Sequence, residues 1–287
     1  MRRNSFFILF QLWSISVYCQ TSFREAHEFL LHLKGIESYE EGVFSASESL
    51  KRFSSQGQQD TLLYYKGLFE YSLKQPEQSI RSFSDLGNSN EMFRLHASFL
   101  SSFQSAYLET YIESKKLLDE IEAGDPFYKE LVVHEQAGLS LLDRDFESFE
   151  KYSNQFSGSY YQLSSFQNQL IKNRDGLLKM KRKSPLIAGL MSGLIPGSGK
   201  AYTGKAGEGY TTLLFSSILA LQAREGYKED GASSLRFKIF AGLFSALYVA
   251  NIWGSVLSVK VYKDDFNATF DEAILLNMHV PLRTIFN

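Results

Sequence analysis

The amino-acid sequence predicts an all-α protein, in which a soluble domain of helical hairpins is followed by a small membrane-embedded helical unit. In the first half of the chain apolar residues recur three and four positions apart, the spacing of one face of an α-helix. Only 5 of the 287 residues are proline, and scarce proline favours long uninterrupted helices. Beyond residue 184 small and apolar residues dominate, with two apolar runs at 210–221 and 237–257.

Composition restricts the classes of function that the chain can have. The formal net charge is −2, whereas nucleic-acid-binding domains normally have a basic surface, so we expect no nucleic-acid partner. A single cysteine, Cys19, excludes an intrachain disulfide and a cysteine-based metal site. Of the 5 histidines, His27 and His32 are close in sequence, but their spacing places them on different faces of a helix. We therefore predict no metal.

The first residues have the pattern of a secretory signal. A basic start precedes an apolar core over residues 6–17, and polar sequence follows. We predict a signal peptide over residues 1–19, cleaved directly after Cys19. An uncleaved anchor is an alternative, although the apolar core is short for a membrane span. Lipidation of Cys19 is disfavoured, because the bulky Tyr18 precedes it.

Residues 20–179 are predicted to form the soluble domain of helical hairpins. The clearest hairpin joins residues 62–71 to residues 79–86, both of which have helical periodicity. Gly67 in its first helix and Phe83 in its second resemble the tetratricopeptide-repeat pattern, in which a small residue allows the paired helix to approach closely. The resemblance implies a stack of helix pairs.

Two further candidate hairpins follow. They comprise residues 93–106 with 109–121, and residues 128–142 with 146–156. The small residues Gly67, Ala97 and Gly138 are unequally spaced, so an irregular helical bundle with one repeat-like hairpin is an alternative to a regular stack. A regular stack would offer a concave groove for binding a protein or peptide.

A basic cluster directly precedes the apolar region. It consists of Lys179, Lys181, Arg182 and Lys183. A solvated helix end would have the same composition, but the position beside an apolar run favours lipid headgroups. Each basic residue near an anionic membrane surface contributes about 1 kcal/mol of attraction. We therefore predict membrane lipids as partners of this cluster.

Residues 184–260 are predicted to form a membrane helical hairpin. The first apolar segment, residues 185–195, is too short to span a bilayer and suggests a re-entrant or interfacial helix, or half of a broken one. Residues 210–221 span only if small residues on both sides extend them, and the extension includes Glu208, which must then be paired or lie at the interface. Residues 237–257 have the length of a span.

A glycine-rich turn lies between the first two apolar segments. It comprises Pro196, Gly197, Gly199, Tyr202 and Gly204. Because glycine allows positive φ and close backbone approach, we expect a tight turn against neighbouring helices. A nucleotide is not expected, since Leu194 replaces the first glycine of a phosphate-binding loop and Ala201 replaces its Ser or Thr.

The turn and the last apolar run resemble an uncharacterised bacterial membrane family. Its members have a Pro-Gly-x-Gly-x-x-Tyr-x-Gly helical hairpin, some of them behind a tetratricopeptide-like exported region, and residues 184–263 match this pattern. The run Asn251-Ile252-Trp253-Gly254-Ser255 is similar to the family's Asn-Ile-Tyr-Gly-Ser element, with Trp253 replacing Tyr. We assign helix packing to Asn251, Trp253 and Gly254, since Asn251 needs a hydrogen-bond partner inside the bundle. The resemblance implies a membrane location and indicates little about activity.

The C-terminal residues 261–287 are predicted to form an acidic tail with one short amphipathic helix near residues 273–278. No Ser-His-Asp set, paired acidic cluster or phosphate loop is visible in the sequence, so we expect neither an enzyme nor a cofactor. We expect a membrane protein of the bacterial cell envelope, whose helical domain binds other envelope proteins. The alternative is an accessory factor for membrane-protein insertion or transport.

Two observations on topology conflict. The signal-like start places residues 20–179 outside the cytoplasm, which also places the basic cluster there. Basic residues next to membrane spans normally lie on the cytoplasmic side. We favour export, because the signal-like start otherwise has no explanation.

Overall fold

The computed structural model describes residues 22–286, in which the chain consists of helices and turns. Thirteen helices lie in this range. They are α1 (Phe23–Gly35), α2 (Tyr39–Leu50), α3 (Gln56–Ser72), α4 (Pro76–Ser84), α5 (Glu91–Tyr107), α6 (Tyr111–Asp119), α7 (Pro126–Leu142), α8 (Phe146–Ser153), α9 (Tyr161–Leu178), α10 (Pro185–Leu194), α11 (Ser198–Tyr202), α12 (Ala206–Asp230) and α13 (Leu235–Phe286). The all-α prediction is confirmed, and the predicted signal peptide lies outside the described residues.

The chain divides into two compact units, one ending at Leu108 and the other beginning at Glu109. Helices α1–α5 belong to the first unit and α6–α13 to the second. This division differs from the predicted one between residues 179 and 184, because α13 packs against α7 and α9 as well as against α10, α11 and α12. Residues from both sides of the predicted boundary therefore share one compact unit.

The first unit is built from helices that pack on their neighbours in sequence. A capping box at its start satisfies the first turn of α1, since Ser22 Oγ accepts from the Glu25 N–H and the Glu25 carboxylate accepts from the Ser22 N–H. Leu30, Leu62 and Phe69 are fully buried in the core that α1, α2 and α3 enclose. Burial of such side chains contributes about 1.5–3 kcal/mol each.

Helices α3 and α4 approach closely at Gly67. A Cβ on Gly67 would lie 2.5 Å from the ring of Phe83, so only glycine leaves room for that ring. The Ser79 hydroxyl donates to the Gly67 carbonyl at 2.8 Å. Gly67 and Phe83 are therefore in the contact that the sequence predicts.

The turns between paired helices repeat one backbone geometry. In each, one non-glycine residue has φ between 58° and 61°: Glu37, Lys74, Glu109 and Arg144. Successive members of this set are 37, 35 and 35 positions apart (37 to 74, 74 to 109, 109 to 144). Helices α3, α5, α7 and α9 begin at residues 56, 91, 126 and 161, a constant spacing of 35. The helix pairs therefore recur with a regular period, although their small residues do not.

The recurrent left-handed residue has a local cause. In the turns after α1, α3 and α7 the next residue donates its N–H to a carbonyl five positions back: Ser38 to Leu33, Gln75 to Glu70 and Asp145 to Ser140, at 2.8–2.9 Å. This is the hydrogen bond of the Schellman motif, which satisfies carbonyls at a helix end. The left-handed conformation costs a non-glycine residue about 1–2 kcal/mol, and this hydrogen bond offsets it.

The C-terminal half of α13 packs against the helical hairpins. Residues 261–286, predicted as a tail with a short helix, instead continue the 52-residue helix α13. Ile274, Met278 and Leu282 are each fully buried and, being four positions apart, form one stripe along the helix. This stripe faces α7 and α9, where Gly138 accommodates Met278, whose side chain would lie 2.5 Å from an added Cβ.

Polar contacts also join α13 to α7 and to the turn that follows α7. The Arg144 guanidinium donates to the Asp271 carboxylate at 2.7 Å. His134 Nε2 lies 3.0 Å from the carbonyl oxygen of Asn277, which makes the neutral ring with hydrogen on Nε2 the fitting tautomer. Residues beyond 260 are therefore an integral part of the second unit.

Replacing Gly176 by alanine should destabilise the second unit. A Cβ at this position would overlap the Phe270 ring. Overpacking costs about 1–3 kcal/mol, of which the better helix propensity of alanine returns about 1 kcal/mol. The free energy of unfolding, measured by denaturant titration in detergent, should fall by up to about 2 kcal/mol. Gly35→Ala, in open space at the end of α1, is the control, and Phe270→Leu should restore stability to Gly176→Ala.

Helix α7 also buries two titratable side chains, His134 and Glu135, which are 0% exposed. Burial lowers the pKa of His134 to about 4. Burial also raises the pKa of Glu135 well above its ordinary value, and neither of its carboxylate oxygens has a hydrogen-bond partner among the described residues. Both side chains are therefore held in their neutral forms.

Glu135→Gln should stabilise the fold by an amount that grows with pH. Between the ordinary pKa of Glu and the raised pKa of Glu135, folding takes up a proton, so stability falls by about 1.4 kcal/mol per pH unit. Glutamine does not titrate, so the gap in stability between variant and parent should widen as the pH rises above the ordinary pKa of Glu. His134 acts oppositely, because its contribution is lost as pH falls from 6.5 towards 4.

Urea unfolding at several pH values measures this gap. The exposed Glu147 on α8 provides the matched control, Glu147→Gln. Parallel stability curves for Glu135→Gln and the parent would show that the Glu135 carboxyl is not held neutral in the folded protein.

Candidate functional site

The helices after residue 184 expose a large apolar surface. The side chains that are more than half exposed include Leu186, Leu190 and Leu194 on α10, Tyr210, Leu214 and Leu221 on α12, and Leu235, Val249 and Trp253 on α13. Within the described range α13 is long and apolar enough to cross a membrane. In its apolar stretch of 18 residues only 11% of the residues are buried. Low burial of this kind distinguishes it from the core helix of a soluble protein. Helix α12 has 25 residues but is less apolar.

Helix α10 reaches only part of the way across such a membrane. Its 10 residues have a length of about 15 Å, against about 30 Å for the hydrocarbon core of a bilayer. Ser184 Oγ accepts from the Ile187 N–H at its start, and Pro185 occupies the first position. The prediction that residues 185–195 are too short to span is confirmed.

The predicted glycine-rich turn closes α10 onto α11. Gly197 has a φ of +85°, in the left-handed region that favours glycine. A Cβ on Gly197 would also overlap the carbonyl oxygen of Gly209 in α12. Both the conformation and the available space therefore require glycine at this position.

Gly199 brings α11 into direct contact with α10. A Cβ there would overlap the Ala188 carbonyl oxygen and would lie 2.6 Å from Ser192 Oγ. In the native chain the Gly199 N–H donates to Ser192 Oγ at 2.9 Å. Because Gly199 has no side chain, the backbone of α11 packs directly against α10.

Asn251 of α13 supplies hydrogen bonds to the two sides of the turn. Its Oδ1 accepts from the Gly197 N–H at 3.1 Å, and its Nδ2 donates to the Ser192 carbonyl at 3.3 Å. One turn further along α13, Ser255 Oγ lies 2.6 Å from Ser192 Oγ. Asn251 is 4% exposed and Ser255 is 0% exposed. The polar partner that the sequence demands for Asn251 is therefore the turn itself.

Two further contacts hold the hairpin formed by α10 and α11 against α13, one on each side of Asn251. The Tyr248 hydroxyl donates to the Gly193 carbonyl, near the tip of the hairpin. At its other end Thr203 Oγ1 donates to Ser258 Oγ at 3.0 Å. Because α10 and α11 both run alongside this part of α13, the hairpin enters and leaves at the same end of the apolar helix.

Tyr202 closes the open end of the hairpin. Its hydroxyl accepts from the Ser184 N–H at 3.3 Å, and its carbonyl accepts from the Lys183 ammonium. Gly204 follows with a φ of +93°, with no atom within 4 Å of where a Cβ would lie. Glycine is therefore favoured at position 204 only by the positive φ. At position 197 it is favoured by the positive φ and also because a side chain would have no room.

The residues assigned to helix packing divide into two groups. Asn251 is at the centre of the contacts, and Gly254 faces α11, with Lys200 Cε 3.9 Å from where its Cβ would lie. Trp253 is 66% exposed, because two positions along an α-helix turn a side chain by about 200° from Asn251. Trp253 therefore belongs to the exposed apolar surface and does not pack within the bundle.

The basic cluster also divides. Lys179, Lys181 and Arg182 are exposed. Lys183 is half-buried, with its ammonium 5.1 Å from the Tyr202 ring centre and 4.6 Å from that of Tyr262. Sequence reasoning does not single out Tyr262, because it lies more than 70 residues after the cluster.

Glu208 has the partner that the sequence demands of it. Lys200 Nζ lies 3.6 Å from the Glu208 carboxylate and 3.4 Å from Thr212 Oγ1. Lys200 is the residue that gives the turn its superficial likeness to a phosphate-binding loop. In the folded chain its ammonium is turned toward α12.

Each unit also has an apolar groove outside helices α10–α13. In the first unit a groove of about 550 Å³ lies between α1 and α2. Phe29 and Phe44 line it and are 49% and 69% exposed. In the second unit a groove of about 500 Å³ lies among α6, α7 and α8 and includes Tyr111 and Ile112. Among residues 22–286 no group of three His, Cys, Asp or Glu side chains is placed to hold a metal ion.

No protein-family model, curated protein or solved structure matches this chain. The resemblance of residues 184–263 to a bacterial membrane family therefore stays a prediction from the motif.

Gly197→Ala should disrupt the packing of α10–α13 much more than Gly204→Ala. Both glycines have positive φ, which costs alanine about 1–2 kcal/mol. Only Gly197 meets backbone, at the Gly209 carbonyl, so α12 must move away. We expect Gly204→Ala to lower the thermal midpoint by a few degrees and Gly197→Ala to abolish cooperative melting in detergent. Equal effects of the two variants would show that the turn is not packed on α12.

Proposed function

We propose that this protein is a non-enzymatic membrane protein of the bacterial cell envelope, whose helical domain binds other envelope proteins. The observation that carries the proposal is α13. One end of this helix lies in the exposed apolar surface, and the other end packs into the helical hairpins. A single continuous helix thus links the helical hairpins of the second unit to the proposed membrane anchor.

The regular period of the helix pairs supports a repeat-like binding domain. A spacing of 35 residues between helix starts is close to the 34 residues of a tetratricopeptide repeat. Stacked helix pairs commonly bind proteins or peptides through an extended surface. The left-handed turn residues recur at nearly the same period as the helix starts, which favours a regular stack over an irregular bundle.

The groove between α1 and α2 is the surface we propose for a partner. Exposed aromatic side chains such as Phe29 and Phe44 are typical centres of protein interfaces. The faces of α7 and α9 around Gly138 and Gly176 are less suitable, because α13 already covers them. We propose no catalytic role for the turn, because Asn251, Ser192 and Ser255 are engaged with its backbone and with one another.

The alternative proposal is an accessory factor for membrane-protein insertion or transport. It draws on the exposed apolar side chains of α12 and α13, which include Leu214, Val249 and Trp253. A surface of this kind can contact lipid or another membrane-integral protein equally well. The two proposals therefore differ in the partner they require.

Crosslinking and quantitative affinity purification from native membranes test the choice. In the first proposal the double variant Phe29→Ala/Phe44→Ala should reduce capture of envelope proteins about tenfold or more. Ile112→Ala on α6, where Ile112 is 86% exposed, is the control and should leave capture unchanged. Partners that are integral to the membrane and insensitive to the double variant would support the alternative. Soluble envelope partners whose capture the double variant does not reduce would contradict a binding role for the groove.

The same membranes test location and topology. We propose that the helical domain is extracytoplasmic, on the basis of the predicted signal peptide. Protease should then degrade residues 22–178 in intact spheroplasts, while the protein fractionates with membranes. Degradation only after lysis would place the domain in the cytoplasm, in agreement with the charge of the basic cluster.

A further inference from the structure

Basic residues from three separate segments meet at one end of the membrane helices. We call this set the basic collar; it consists of Lys181, Arg182, Lys183, Lys205, Lys260 and Lys263. Lys183 lies over the Tyr262 ring, so residues 260 and 263 are at the same level of α13. The Ser184 N–H donates to the Tyr202 hydroxyl, which brings the end of α11, and therefore residue 205, to this level.

The collar lies where the apolar part of the structure ends. The apolar run of α13 extends to Leu257, about one turn before Lys260. Tyr202 and Tyr262 are half-buried at this level, as is typical of aromatic residues at a membrane interface. Asn251, which holds the tip of the hairpin, precedes Tyr262 by eleven residues, so the tip lies about 16 Å deeper.

No residue of the collar forms an ion pair with another residue of the described range, 22–286. The ion pairs among α10–α13 belong to Lys200 and Arg236. At the other end of α12 and α13, Arg236 pairs with Glu225 and Glu229. Arg236 at that end therefore has acidic partners, whereas no described ion pair involves a residue of the collar.

We propose that the basic collar binds the phosphate groups of anionic phospholipids. This inference rests on the proposed membrane location. Lys183 is held in place by the Tyr202 carbonyl and by two aromatic rings, so the centre of the collar is ordered before a lipid arrives. Lys181, Arg182, Lys260 and Lys263 are exposed around it and supply donors that suit phosphate oxygens.

The test compares lipid retention by the full-length chain and two triple variants. Protein in detergent is equilibrated with equal amounts of phosphatidylglycerol and phosphatidylcholine, and native mass spectrometry counts the bound lipids. The collar variant is Lys181→Gln/Arg182→Gln/Lys263→Gln, which leaves Lys183 intact. The control variant, Arg224→Gln/Lys228→Gln/Lys238→Gln, removes three exposed cations from the opposite end.

We expect the parent and the control variant to retain phosphatidylglycerol about tenfold more than phosphatidylcholine, and the collar variant to lose this preference. Helicity by circular dichroism establishes that the variants are folded. Equal retention by the collar and control variants would overturn the proposal. Complete displacement of the lipid by millimolar glycerol phosphate or inorganic phosphate would also overturn it, because the collar would then be a site for a free anion.

Flotation with neutral phosphatidylcholine vesicles separates this proposal from the proposed membrane location. A chain that fails to float contradicts the membrane location itself. A chain that floats but shows no preference for phosphatidylglycerol contradicts the collar alone.

Discussion

The packing of α10–α13 depends on one constraint, which is that buried backbone polar groups must find partners within the protein. The N–H groups of Gly197 and Gly199 are buried where the turn meets α10 and α13. Asn251, Ser192 and Ser255 meet this demand from the adjoining helices. The glycines at 197 and 199 matter because they let the backbone come close enough for these hydrogen bonds.

Helix α13 connects this turn to the rest of the second unit. Its first half supplies Tyr248, Asn251 and Ser255 to the hairpin, and its second half supplies Ile274 and Met278 to the core beside α7. The two halves bury side chains in different surroundings, yet one rigid element connects them. Movement of the hairpin relative to α7 would require the helix to bend between these contacts.

The helical hairpins recur regularly in their backbone geometry, whereas their side chains show the repeat only weakly. Glu37, Lys74, Glu109 and Arg144 are charged residues of both signs, and what unites them is a positive φ. The side chain matters less there than the carbonyls that the following N–H groups satisfy. The small residues Gly67 and Gly138 meet different partners, Phe83 and Met278, which explains why their spacing is a poor measure of the repeat.

Local composition and periodicity were enough to predict the helical class, the apolar run within α13 and the glycine turn. The cost of one unsatisfied polar group was enough to predict that Asn251 needs a partner. Which groups meet depends instead on how the helices pack. The pairing of Lys183 with Tyr262, the burial of Met278 against Gly138 and the exposure of Trp253 depend on helix directions. Those directions are set by packing between residues far apart in the chain, and local periodicity does not encode them.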